Sequence, residues 1–141
     1  MDNMPLMLAI KHTYKQWNDY MQRLALEAGI PGPYSMIVMY LAKNPGTSQK
    51  ELADYCQKTY ASISQTIKEM QSSDYVIKQT DVNDQRYAKL YLTEKGLACA
   101  NQVRSKIHEA DKVITSIITP NKEKELIEIM ELLKNTIQKE L

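Results

Sequence analysis

A mainly α-helical protein with one small antiparallel β wing, that is, a winged helix-turn-helix extended by long terminal helices, is the fold this sequence predicts. Three observations carry it. Two short segments rich in β-type residues, Val76–Thr80 and Tyr87–Leu92, flank a polar turn of Asp81, Asn83, Asp84 and Gln85, the pattern of a β-hairpin. Immediately before the hairpin lie two short amphipathic stretches separated by a tight break, the second with small polar residues on one face. At both ends of the chain, apolar residues recur at steps of three and four over long spans.

The first helical seam is Met7, Ile10, Tyr14, Trp17, Met21, Leu24 and Ala28, and Gly29, Pro31, Gly32 and Pro33 end it. A second helix, Tyr34–Lys43, has Ile37, Tyr40 and Leu41 on one side and stops at Asn44-Pro45-Gly46. Ser48 followed by Glu51 is a capping-box pattern, in which hydroxyl and carboxylate satisfy orphan amides at a helix start. The third helix it opens buries Leu52, Ala53 and Cys56. After a break near Lys58 and Thr59, a fourth helix buries Ile63, Ile67 and Met70 and leaves Ser62, Gln65, Lys68 and Ser72 on its other face. Asp74 stands where the chain turns into the hairpin, a position for a left-handed residue, which Asp tolerates better than most. Thr93 is an N-cap candidate for a long fifth helix with the seam Ala100, Val103, Ile107, Ala110, Ile114 and Ile117. Thr119-Pro120 starts a sixth, striped by Leu126, Met130, Leu133, Ile137 and Leu141.

Length and charge narrow the function. At 141 residues, with 43% hydrophobic and 25% charged residues and a net charge of +1, the chain suits one globular domain. No secretory leader is visible, and no apolar run approaches the length needed to cross about 30 Å of hydrocarbon, so the expectation is a cytoplasmic protein without membrane contact. Cys56 and Cys99 have neither disulfide-framework nor zinc spacing. Cys99 and His108 are nine residues apart and fall on opposite sides of one helix. With no nucleophile elbow, phosphate loop or metal-ligand spacing, the reading is not an enzyme and needs no cofactor and no metal. A central unit of about sixty residues cannot cover three apolar terminal stripes, so residues 3–28 and 97–141 are expected to glue a homodimer around the reading unit 34–96 within a single domain 1–141.

The residues Asp84-Gln-Arg86-Tyr-Ala-Lys-Leu90-Tyr-Leu92-Thr93-Glu-Lys-Gly96 resemble the signature of the MarR-type bacterial transcriptional regulators. The resemblance extends through Thr47-Ser-Gln-Lys-Glu-Leu52-Ala53 and through Ile63, Ile67, Met70 and Val76, and the helix order fits over the whole chain. It implies an obligate homodimer that reads a palindromic operator in double-stranded DNA. The fourth helix would enter the major groove, and Arg86, oriented by Asp84, the minor groove. On that basis Thr59, Tyr60, Ser62, Ser64, Gln65, Lys68, Asp84, Arg86 and Lys89 are the candidate DNA-binding residues. Family members often bind small aromatic acids where the first, second and fifth helices meet, which makes Trp17, Met21, Met36, Met39 and Tyr40 candidate ligand residues. The expected function is a repressor released by a small aromatic or phenolic effector.

Two departures from the family pattern keep other readings open. Asp74 occupies a turn where Gly is common. Between Lys43 and Lys95 eight basic residues face seven acidic ones, a net of only +1, where phosphate binding favours a basic unit. The alternatives are a thiol-responsive regulator using Cys56 or Cys99, and a winged-helix module that holds a protein partner and binds DNA weakly.

Overall fold

The computed structural model describes residues 4–80, 82–83 and 87–141. It has six helices and two strands among them: α1 (Leu6–Glu27), α2 (Gly32–Lys43), α3 (Gln49–Cys56), α4 (Tyr60–Ser72), β1 (Val76–Gln79), β2 (Lys89–Leu92), α5 (Glu94–Thr115) and α6 (Pro120–Glu140). The chain divides into two compact units, one ending at Lys106 and the other running Ile107–Leu141.

In the first unit, α2, α3 and α4 pack on one another, and α2 and α4 pack on the hairpin. The core is drawn from every element of this unit: Ala25 from α1, Ile37, Val38 and Leu41 from α2, Leu52 from α3, Ile63, Ile67 and Met70 from α4, Val76 and Leu90 from the strands, and Cys99, Ala100 and Val103 from α5. A two-stranded hairpin is marginal alone. Here Val76 and Leu90 are 2% and 0% exposed, and burial of each contributes about 1.5–3 kcal/mol, enough to hold the wing on the helices.

Helix ends follow from local chemistry. Ser48 and Glu51 form the expected capping box, Ser48 Oγ accepting from Glu51 N at 3.1 Å and Glu51 Oε2 from Ser48 N at 2.9 Å. Three helices end on a left-handed residue with paired backbone bonds back into the last turn. Gly29 (φ +71°) closes α1, with Ile30 N donating to Ala25 O; Gln57 (φ +52°) closes α3, with Lys58 N donating to Ala53 O; Asp74 (φ +64°) closes α4, with Tyr75 N donating to Met70 O. Asp74 thus adopts the conformation the sequence suggested, whereas Gln57 is a residue that nothing in the sequence singled out.

The base of the wing is a tight crossing. Thr93 Oγ1 accepts from Gly96 N at 3.0 Å, capping α5 as expected, and its hydroxyl donates to Asp74 O. Thr93 N donates to Tyr75 O at 3.1 Å, and the same carbonyl passes so close to Gly96 that a Cβ there would lie 2.2 Å from it. Lys95 Nζ donates to Ser73 O at 2.7 Å and sits 4.4 Å from the centre of the Tyr75 ring, whose edge meets Tyr34. The Thr93-x-x-Gly96 spacing is therefore the physical means by which α5 starts against the end of α4.

In the second unit, α6 starts at Pro120 after Thr119, as the sequence indicated, although Thr119 makes no side-chain cap. Its Leu126, Ile127, Ile129, Met130, Leu132 and Ile137 are exposed within one chain, as are Ile114 and Ile117. No described helix is long and apolar enough to cross a membrane.

Candidate nucleic-acid interface

The candidate reading helix is α4. Thr59 precedes it in extended conformation, and its Oγ1 accepts from Ser62 N at 3.1 Å, so Thr59 is first of all an N-cap. Its O–H stays able to donate outward, and the positive end of the helix dipole lies beside it. Burial of Ile63, Ile67 and Met70 turns Ser62, Gln65 and Lys68 to solvent. Tyr60 is 58% exposed, so its ring is not held in the core. Ser64 is half-buried and is the least accessible of the set. Gln65 is exposed, but its Nε2 donates to Glu69 Oε1 at 3.0 Å; a base edge would have to compete with that bond. At 13 residues, α4 is about 20 Å long, ample to lie across a major groove about 12 Å wide.

The wing follows α4 directly. In its register Val76 faces Leu92, Ile77 faces Tyr91, Lys78 faces Leu90 and Gln79 faces Lys89. Lys89 is exposed, at the tip-ward end of β2. Asp84 and Arg86, the expected wing-tip pair, lie outside the described residues. Their flanks are open: Val82 is 98% and Tyr87 66% exposed. The wing also has a further backbone attachment that sequence reasoning missed. The segment before α3 pairs with β2, Leu90 N donating to Thr47 O and Gly46 N to Leu90 O, both at 2.9 Å. Gly46 has φ +82°, and a Cβ there would press on the Tyr91 hydroxyl at 3.1 Å. A single bridged residue leaves no alternating pattern by which to find it.

The candidate ligand residues have unlike surroundings. Trp17 and Met21 are half-buried on α1, with Trp17 edge-on to Tyr20 at 6.4 Å. On α2, which packs against α1, Met39 and Tyr40 lie against the core, and the Tyr40 ring is stacked on Tyr55 at 4.1 Å. Met36 is 53% exposed. Of the thiols, Cys56 is half-buried and Cys99 is 4% exposed within the core, deeper than a place beside the seam would put it. Burial pushes both thiols up, Lys58 partly opposing this at Cys56.

A helix-turn-helix whose second helix shows a polar face, followed by a hairpin pinned at its base and along β2, defines a winged-helix fold, an architecture in which DNA-reading proteins are built. The MarR family model matches residues 28–86. The HTH-type transcriptional regulator BilQ of Clostridium symbiosum is 27% identical over 99 residues, which cover 70% of this chain and 69% of BilQ. Among solved structures, the fold is shared with the transcriptional repressor CouR bound to a 23-mer DNA duplex (TM-score 0.81, 17% identity, 92% of each chain). It is shared too with the Mycobacterium tuberculosis MarR family protein RV2887 in complex with salicylic acid (TM-score 0.72, 20% identity, 94% of this chain and 98% of that one). The chain thus resembles MarR-family proteins in sequence over residues 28–86 and shares their fold.

Proposed function

We propose that this protein is a MarR-family transcriptional regulator, a homodimeric repressor that reads a palindromic operator, with half-sites about one helical turn apart, and is released by a small aromatic or phenolic ligand. The observation that carries the DNA-reading part is the outward polar face of α4, Ser62, Gln65 and Lys68, set beside a hairpin fastened to the same helical unit. Tyr60 and Thr59 at the helix start would meet phosphate, Ser62 and Gln65 base edges, Ser64 a flank of the contact, and Lys68 and Lys89 phosphate. Arg86, with Asp84 beside it in sequence, would enter the minor groove. Dimerisation through residues 3–28 and 97–141 is supported by the apolar side chains that α1, α5 and α6 expose in a single chain. The bound salicylic acid of RV2887 supports a small aromatic acid as effector, and Trp17, Met21, Met36, Met39 and Tyr40 are the residues proposed to meet it. Release would be a population shift limited by the ligand's differential affinity for the two dimer forms.

The test is selection from a random pool of duplexes, followed by titration at fixed salt. A palindromic consensus bound by a dimer is the expected outcome, and Arg86→Ala should weaken binding by about 1–3 kcal/mol. An unaltered Arg86→Ala titration would remove the wing from the interface. The reading unit's net charge of +1 favours a second reading, a partner-holding module with weak DNA affinity. Absence of any complex at both low and moderate salt would favour it. The thiol-responsive reading loses ground to the burial that raises both cysteines.

A further inference from the structure

The sheet order places β1 at an edge. β2 lies between β1 and the Thr47 bridge, so among the described residues β1 pairs through its backbone with β2 alone. Lys78 stands in the middle of β1, opposite Leu90 and on the same side of the strand as Val76, the side turned toward the helices. Lys78 remains exposed to water, yet its ammonium takes a protein acceptor. It finds one 29 residues earlier in the chain: Lys78 Nζ donates to Gln49 Oε1 at 2.9 Å. Gln49 opens α3 and is only 6% exposed, while its Nε2 has no hydrogen-bond partner among the described residues. A buried amide with one end orphaned costs stability, so a well-fitting apolar residue would serve the core better.

We propose that Gln49 and Lys78 are positioning residues: their bond is a latch that fixes the angle of the wing relative to α3 and α4, and with it operator discrimination. The inference rests on the DNA-reading proposal above and adds the part that aims the wing. Without the latch the hairpin is held at its base, where Thr93 N meets Tyr75 O, along β2, where Leu90 meets Gly46 and Thr47, and by Val76 in the core. None of these ties β1 beyond Val76, and the outer part of that edge can swing. The latch ties that edge to α3, which packs on α4. The choice of a neutral amide has its own consequence. A carboxylate at position 49 would hold the ammonium more strongly but cancel its charge. Gln49 holds Lys78 and leaves its charge in a unit whose net is only +1.

The test compares the full-length parent with Gln49→Leu and Gln49→Glu. Gln49→Leu removes the bond together with the orphaned Nε2, so its thermal midpoint should equal or exceed the parent's. Hydrogen exchange of the segment 76–80 in DNA-free protein should speed up about fivefold or more in Gln49→Leu, the factor a lost hydrogen bond implies, and stay slow in Gln49→Glu. Affinity is then measured for the duplex the parent selects and for an unrelated duplex of equal length. Gln49→Leu should lose about fivefold on the selected duplex and nothing on the unrelated one. Unchanged exchange, an equal loss on both duplexes, or a looser wing with unaltered discrimination would each overturn the latch. A parent that distinguishes no duplex would instead overturn the DNA-reading proposal, before any variant is compared; exchange alone would then decide whether the latch holds the wing.

Discussion

Replacing Gly96 by Ala tests the crossing at the base of the wing. The added Cβ would lie 2.2 Å from Tyr75 O, 3.0 Å from Leu92 Cδ2 and 3.2 Å from Leu92 Cβ. Leu92 can adjust its side-chain tip, but the carbonyl is backbone. Ordinary contact at 3.4 Å requires the two to part by about 1.2 Å. The Thr93 N to Tyr75 O bond, 3.1 Å long, does not survive that displacement. Overpacking of this kind costs about 1–3 kcal/mol and the lost bond about 1 kcal/mol more. Ala gains about 1 kcal/mol over Gly inside a helix, which offsets part of the loss. The net is a destabilisation of about 1–3 kcal/mol, read as a fall of several degrees in the thermal midpoint by circular dichroism. Protomer concentration must be held constant, because association contributes to stability. Gly32→Ala is the control: apart from its chain neighbours nothing lies within 4 Å of its Cβ position, so with only the following Pro33 to crowd it the change should cost less than Gly96→Ala. A Gly96→Ala midpoint equal to the parent's, under conditions where Gly32→Ala behaves as stated, would refute the account of the junction.

Other outcomes follow from the same geometry. Gln57→Gly, which relieves a left-handed glutamine at the turn between α3 and α4, should stabilise the fold by a few tenths to about 1 kcal/mol in urea titrations. Ser48→Ala removes the cap of α3 and should cost about 1 kcal/mol in the same assay, without altering the unfolding slope. Leu90→Ala, at a fully buried wing position, should cost about 2–5 kcal/mol and release the hairpin to rapid hydrogen exchange. Because burial raises both thiols above the ordinary 9.0, iodoacetamide should label Cys99 slowly at neutral pH and faster once urea unfolds the chain. In the native state each thiol holds its proton to higher pH than in the unfolded chain. The associated stability is therefore complete below about pH 9 and declines as pH rises from there toward the raised native values.

Much of this fold was legible because its signals are local. The Ser48/Glu51 pair, Thr93 before α5 and Pro120 at the head of α6 are short-range patterns whose partners lie within a turn. The buried stripe Ile63, Ile67 and Met70 fixed which face of α4 is wet, and so where Ser62, Gln65 and Lys68 would point. What escaped depends on distant partners. The Thr47 to Leu90 bridge joins a loop to a strand 43 positions later, with one residue on each side and no periodicity to betray it. Cys99 lies beside the α5 seam in a helical projection, yet its side is filled by the core. Gln57 entered the left-handed region because the short link between α3 and α4 demands it, against its own preference. The Gln49 to Lys78 bond unites two residues that look like ordinary surface polar positions when read one at a time.

The central claim, that a dimer presents two α4 helices and two wings to one duplex, is tested most directly by chemical footprinting on the duplex the protein selects. Two symmetric major-groove protections centred about one helical turn apart, flanked by minor-groove protections that disappear in Arg86→Ala, are the expected result. A single unpaired protection, or minor-groove protections that persist without Arg86, would contradict it.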